Sequence, residues 1–201
     1  ADAIYQNINF IEGEQPSHVL VLAGDHVYKM DYSKMLDFHE EMGAEITIAT
    51  TEVPVSIASQ YGIMTTESDW RVIGFEEKPG NPSPMPGSHT HCLASMGIYI
   101  FNTNVLLNYL YKDARTRSAH DFGKNVIPLM IRTGASVYAY NFIDENKKVA
   151  KYWRDVGTIE QYWEANMDLI TVNPVLNLYD ASWPIRTFHD HVPPPKFVFA
   201  Q

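Results

Sequence analysis

The sequence predicts an α/β domain built around a mixed sheet, and three observations carry that prediction. Apolar runs of strand length alternate along the chain with longer stretches of helical periodicity. The runs "GIMTT" and "RVIGFEEK" flank the polar "ESDW" and read as a hairpin. Residues 19–23, "VLVLA", are apolar throughout, as in a central strand buried on both faces.

The elements follow in order. Ile4, Ile8 and Ile11 recur at i, i+4 and i+7, so the opening residues form an amphipathic helix. After the strand at 19–23, "SKMLDFHEEM" (33–42) forms a helix. Asp31 or Ser33 can cap it, because a short oxygen acceptor satisfies the free N–H groups of a first turn; Gly43 can end it. "EITIATT" (45–51) alternates as a strand, and the hairpin comes next. "PGNPSPMPGSHTH" (79–91) holds four prolines and is a loop. "CLASMGIYIF" is a further strand, followed by helices near 103–112 and 122–133, the second capped by Asp121. "ASVYAYNF" and "AKYWRDVG" are strands, the latter stopping on glycine. "TIEQYWEANMDLI" (158–170) is a helix that Thr158 can cap; Ile159, Tyr162, Trp163, Leu169 and Ile170 share one face and are expected to be core. From "NPVLNLYD" onward the periodicity fades. The chain opens without an initiator methionine and closes on the apolar "KFVFAQ", which reads as an excerpt of a longer protein.

Composition limits the function classes. The chain has 201 residues, 45% of them hydrophobic, enough to bury a core. A net charge of −9 opposes broad nucleic-acid binding, which needs clustered Lys and Arg on the phosphates. No apolar run reaches membrane length and no signal peptide is visible; the single Cys92 fits a reducing compartment. A cytoplasmic protein without membrane or nucleic-acid partners is expected.

In open α/β sheets ligands bind beyond the carboxyl ends of the strands. Three segments put charge at such ends: Gly24-Asp25, Glu76-Glu77-Lys78, and Arg154-Asp155 followed by Gly157. Mg²⁺ takes one or two protein carboxylates and fills its octahedron with phosphate oxygens. A lysine is a compact charge suited to a phosphate. Together these fit metal-assisted phosphoryl or nucleotidyl transfer, whereas the same aspartates taken singly also serve as helix or turn caps.

At "LAGDHVYKMDY", "GFEEKP", "ASMGIYIF", "SAHDFGK", "YWRDVGT" and "WPIRT" the chain resembles the ADP-glucose pyrophosphorylases, in the family's order and over nearly the whole length. The resemblance implies a Rossmann-like, mixed and mainly parallel sheet flanked by helices, of the nucleotide-diphospho-sugar transferase type and truncated at both ends. It implies a partial catalytic domain over 1–172, with 173–201 leading towards a β-helix domain. It implies adenylyl transfer from ATP to glucose-1-phosphate for glycogen or starch synthesis, with Mg²⁺, under allosteric control, in a homotetramer. Asp25 and Asp155 would hold the metal, and Lys78 would grip the sugar phosphate. Glu77 and Ser95 would bond sugar hydroxyls, Gly62 would lie against the sugar, and Tyr99, Asp121 and Trp153 would form the pocket wall. The family's glycine-rich phosphate loop has no counterpart in these residues, so the chain alone is expected to lack turnover. A uridine or thymidine nucleotide, or a non-catalytic regulatory subunit of the same fold, are the alternatives.

Other features attract blander readings. His89, His91 and Cys92, with His189 and His191, match no common zinc spacing and read as loop histidines. His26 reads equally as a substrate contact or a satisfied strand-end histidine. His120 reads as part of a helix start, and "DENKK" (144–148) as a solvated turn.

Overall fold

The computed structural model describes residues 1–144, 149–186 and 192–193. Two short helices, α1 (Asp2–Tyr5) and α2 (Ile8–Glu14), lead to strands β1 (His18–Val21) and β2 (His26–Tyr28) and helix α3 (Tyr32–Glu41). Strand β3 (Ile46–Pro54) follows, then a 3₁₀ turn (Val55–Gln60), β4 (Gly62–Thr66), β5 (Val72–Glu77) and the long β6 (His91–Asn102). Helix α4 (Thr103–Ala114), a π-helical turn (Phe122–Val126) and α5 (Ile127–Arg132) come next. The chain continues through β7 (Val137–Asn141), β8 (Ile143–Asp144), β9 (Val149–Ala150), β10 (Trp153–Asp155) and α6 (Ile159–Leu169).

Six strands form the main sheet in the order β5-β4-β6-β3-β7, with β1 also paired to β6. β6 is twelve residues long, so one edge accommodates β4 at Leu93–Ala94 and β1 at Tyr99–Asn102. The mixed α/β architecture is the expected one, but the pairing is not mainly parallel. Among the described strands only β3 and β7 run parallel; β1, β4 and β3 all run antiparallel to β6, and β4 to β5. Strand direction is set by connections, and apolar runs do not report it. β7 is reached from β6 through α4 and α5, and it is the strand that comes back parallel to β3.

Helices cover both faces. On one side Leu106 and Leu110 of α4 and Ile127 and Met130 of α5 pack on Ile46, Ile48 and Phe101, with Ile4, Ile8 and Ile11 closing the edge. On the other, Met35 of α3 packs with Met96, Ile98 and Ile100. The caps match their chemistry: Asp31 accepts from the Ser33 N–H (3.1 Å), and Gly43 takes φ +57° where α3 ends. Thr158 and Gln161 form a reciprocal capping box at the start of α6.

Three sequence expectations need correction. The run at 19–23 is not a central strand: β1 stops at Val21, pairs with β6 alone among the described residues, and leaves Leu20 and Leu22 exposed. "AKYWRDVG" keeps only three residues of β10 as a strand beyond β9. The apolar face of α6 is not core, since Ile159 (84%), Tyr162 (62%), Trp163 (60%) and Ile170 (73%) are exposed, while Ala165 is buried. Periodicity specifies that residues share a face; it does not specify what covers that face. The "DENKK" turn falls at 145–148, outside the described residues, as do His189 and His191.

Among the polar side chains buried in the fold is His39, 1% exposed. Its Nε2 lies 3.2 Å from Asn102 Oδ1, an oxygen that can only accept, so Nε2 carries the proton. Nδ1 then accepts from the Thr47 hydroxyl at 2.8 Å. Burial holds the imidazole below its ordinary pKa of 6.5, against the opposing Asn102 bond. Unfolding therefore takes up a proton at this residue at mildly acidic pH, so the contribution of His39 to stability is fully present above 6.5 and falls as pH drops below it. The urea midpoint is expected to fall less steeply between neutral and mildly acidic pH in His39→Gln than in wild type; parallel slopes would refute this.

Candidate active site

Two carboxylates converge on a two-stranded ribbon that stands apart from the main sheet. β2 and β10 pair antiparallel, Asp155 opposite His26 and Trp153 opposite Tyr28. Asp25 precedes β2, and its carbonyl accepts from the Val156 N–H at 2.9 Å. Between the two acids lies Gly157. A Cβ there would stand 3.0 Å from Asp155 Oδ1 and 3.6 Å from Asp25 Oδ2, so glycine leaves the space into which both point. The Gly157 N–H donates to Asp155 Oδ1 at 2.8 Å, which fixes that carboxylate and leaves Oδ2 for another partner. His26 Nε2 is 3.6 Å from Asp25 Oδ1.

Beside the ribbon is a hollow of about 330 Å³. Gly62, Glu77, Lys78, Ser95, Tyr99, Asp121, Trp153 and Asp155 all line it. Asp25 is not among the lining residues; its carboxylate joins the site through the space at Gly157. The hairpin β4–β5 pairs Gly62 with Glu77, and β6 contributes Ser95 and Tyr99. The π-helical turn brings Asp121, whose side chain also caps it by accepting from the Lys124 N–H at 2.9 Å.

Close approach here depends on glycines. A Cβ at Gly62 would come within 2.6 Å of Phe75 Cζ and 2.9 Å of Glu77 Oε2, and one at Gly123 within 3.2 Å of the same Glu77 oxygen. Lys78 leaves β5 with φ +50°, its N–H donating to the Tyr61 carbonyl at 3.0 Å. Three carboxylates, Glu77, Asp121 and Asp155, face one lysine among the described lining residues, with Asp25 close by. Burial pushes the Tyr99 phenol up to about 12, with the Asp121 and Glu77 charges adding to the rise and a Ser95 hydrogen bond opposing it. So acidic a hollow accepts a phosphorylated anion only with a cation beside it. Two carboxylates with one free oxygen edge suit Mg²⁺ shared with phosphate oxygens, and Asp25 and Asp155 are the residues that would hold it.

His26, read evenly as a substrate contact or a strand-end histidine, also lines the hollow, as do Tyr61, Gly97 and Gly123, which carried no sequence signal. The His26 ring packs edge-on against Trp153 (centroids 5.0 Å), and Gly97 at φ +67° makes room for it. His26 Nδ1 and Trp153 Nε1 are buried without a hydrogen-bond partner, which leaves two polar atoms for a ligand. His120 is a helix-start residue, as expected: at φ +52° it turns the chain into Asp121, and its Nδ1 lies 2.6 Å from the buried Asp113 Oδ2. Cys92 is buried, and burial pushes its thiol up. Among the described residues no three His, Cys, Asp or Glu side chains gather as a metal site, and no helix is long and apolar enough to cross a membrane.

Comparison with known proteins gives consistent matches. A sequence model of the nucleotidyl transferase family matches residues 1–172. A glucose-1-phosphate adenylyltransferase of Rhodopirellula baltica is 54% identical over 200 residues, covering 99% of this chain and 45% of the relative. Enzymes of the same name from Paramagnetospirillum magneticum (52% over 204 residues) and Methylococcus capsulatus (51% over 200) each cover 99% of this chain and 47% of their own length. The chain spans about half the length of the curated relatives it matches.

Proposed function

Because the chain belongs to the nucleotidyl transferase family, we propose that the whole protein transfers an adenylyl group from ATP to glucose-1-phosphate, giving ADP-glucose and pyrophosphate for storage-polysaccharide synthesis. The observation that carries this reading is the meeting of Asp25 and Asp155 at Gly157 beside the hollow that holds Glu77, Lys78 and Ser95. The names of the relatives at half-identity support the choice of nucleotide and sugar.

In the reaction an oxygen of the sugar phosphate forms a bond to the α-phosphorus of ATP. The bond from that phosphorus to the bridging oxygen breaks in line, and pyrophosphate leaves with the electron pair. No protein nucleophile is needed, so the work is positioning and charge neutralisation. When bound, Mg²⁺ supplies Lewis-acid charge to the phosphate oxygens. Asp25 and Asp155 would hold it. Lys78 grips the phosphate of glucose-1-phosphate, Glu77 and Ser95 take sugar hydroxyls, and the backbone at Gly62 lies along the ring. Tyr99, Asp121 and Trp153 wall the pocket, and the whole protein works as a homotetramer.

The test is pyrophosphate release by the full-length protein with glucose-1-phosphate and ATP, UTP or dTTP in parallel. Release with ATP well above the others is expected. Release with UTP or dTTP instead would overturn the nucleotide assignment, and sugar-phosphate binding without turnover would favour a regulatory subunit. The 201-residue chain by itself, which contains no glycine-rich phosphate loop, is expected to bind glucose-1-phosphate and release no pyrophosphate.

A further inference from the structure

We propose that Asp168 is a positioning residue for Asp155: from α6 it grips Arg154 and Tyr152, and so fixes the short strand that carries one half of the metal site. The inference rests on the metal reading of Asp25 and Asp155 given above.

β10 has little of its own to hold it. It is three residues long, and its one ladder partner among the described residues is β2, outside the six-stranded sheet. Trp153 and Asp155 line the hollow, while Tyr152 and Arg154 do not. Those two converge instead on a single oxygen of Asp168: the Tyr152 hydroxyl donates to Oδ2 at 3.0 Å and Arg154 Nε at 2.8 Å. Arg154 Nη1 adds a longer contact to Glu164 Oε2 at 3.6 Å, also from α6. The bonds to Arg154, and then to Tyr152, hold the Asp168 carboxyl below the usual carboxylate range.

The grip closes a small ring of chain. Gly157 turns away from Asp155, the capping box of Thr158 and Gln161 starts α6, and the helix returns Asp168 to the residues that flank Trp153 and Asp155. A guanidinium and a phenol locked to one carboxylate leave the backbone of 152–154 little freedom. The direction in which Asp155 points follows from that backbone. Partners that orient a metal-binding residue are worth about 10- to 100-fold in metal affinity or activity.

The experiment uses the full-length protein and Mn²⁺ as the probe, with free ion read by electron paramagnetic resonance. Asp168→Ala is expected to bind Mn²⁺ about 10- to 100-fold more weakly. The Mg²⁺ concentration for half-maximal pyrophosphate release should rise in step, with the thermal midpoint little changed. Asp168→Glu should recover part of the affinity. Wild-type Mn²⁺ affinity in a folded Asp168→Ala protein would overturn the proposal. If that variant does not fold, Arg154→Lys keeps the charge and loses the Nε bond; it should show an intermediate weakening, and wild-type affinity there would overturn the proposal equally. Asp155→Asn separates the two layers. If it binds Mn²⁺ like wild type, the metal reading itself fails; if it loses Mn²⁺ while the Asp168 and Arg154 variants keep it, only the positioning role fails.

Discussion

Asp25→Ala in the full-length protein is expected to lower kcat by about 10²- to 10³-fold, the scale of losing one preorganised electrostatic partner of a transition state. The expectation follows from the charge balance of the hollow. Two anions must approach each other in a site that already holds Glu77, Asp121 and Asp155 against Lys78. Without a cation on the phosphates that approach is opposed at every step. Asp25 is exposed enough to take a hydrated ion, at 62% for its side chain, and it faces Asp155 across Gly157. Its loss removes charge stabilisation that grows as the new P–O bond forms, so kcat falls more than the KM for either substrate changes. Steady-state pyrophosphate release at saturating ATP and glucose-1-phosphate decides the matter. A kcat within a few-fold of wild type would mean that Asp25 does not serve the reacting phosphates.

Lys78→Ala should act on the other parameter. Its KM for glucose-1-phosphate is expected to rise about 10- to 100-fold, in line with a hydrogen bond to a charged group. Lys78 is exposed where it lines the hollow, and water screens its charge. It gains strength only once a sugar phosphate displaces that water, and the gain is common to the ground state and the transition state. The KM for ATP should stay near its wild-type value. An unchanged KM for glucose-1-phosphate in the lysine variant would remove Lys78 from phosphate recognition.

Much of the site was legible in the residues themselves, because its chemistry sits at strand ends. "EEKP" and "WRDVG" place charge where a strand stops, "GDH" places it where β2 begins, and the fold brings the first two to one hollow with Asp25 beside it. Asp31, Asp121 and Thr158 were readable as caps for a related reason: a cap is a local hydrogen bond, satisfied by neighbours two or three residues away. What escaped was whatever depends on distant neighbours. The apolar run at 19–23 calls for burial, but only the pairing to β6 shows that β1 lies on an edge. The face of α6 has the spacing of a core helix and stands exposed. Gly97 and Gly123 matter because His26 and Glu77, remote in sequence, come within contact of them. Asp168 carries no signal in the sequence, since its partners Tyr152 and Arg154 stand 16 and 14 residues away.

The left-handed backbone of Lys78, φ +50°, bears on how this position came to be filled. Glycine would rest there easily, while any side chain with a Cβ is uncomfortable. A protein shaped for endurance alone would therefore have glycine at 78. Lys78→Gly should outlast Lys78→Ala on heating while recognising the sugar phosphate no better, and equal thermal midpoints in the two variants would mean that the left-handed turn costs this position nothing.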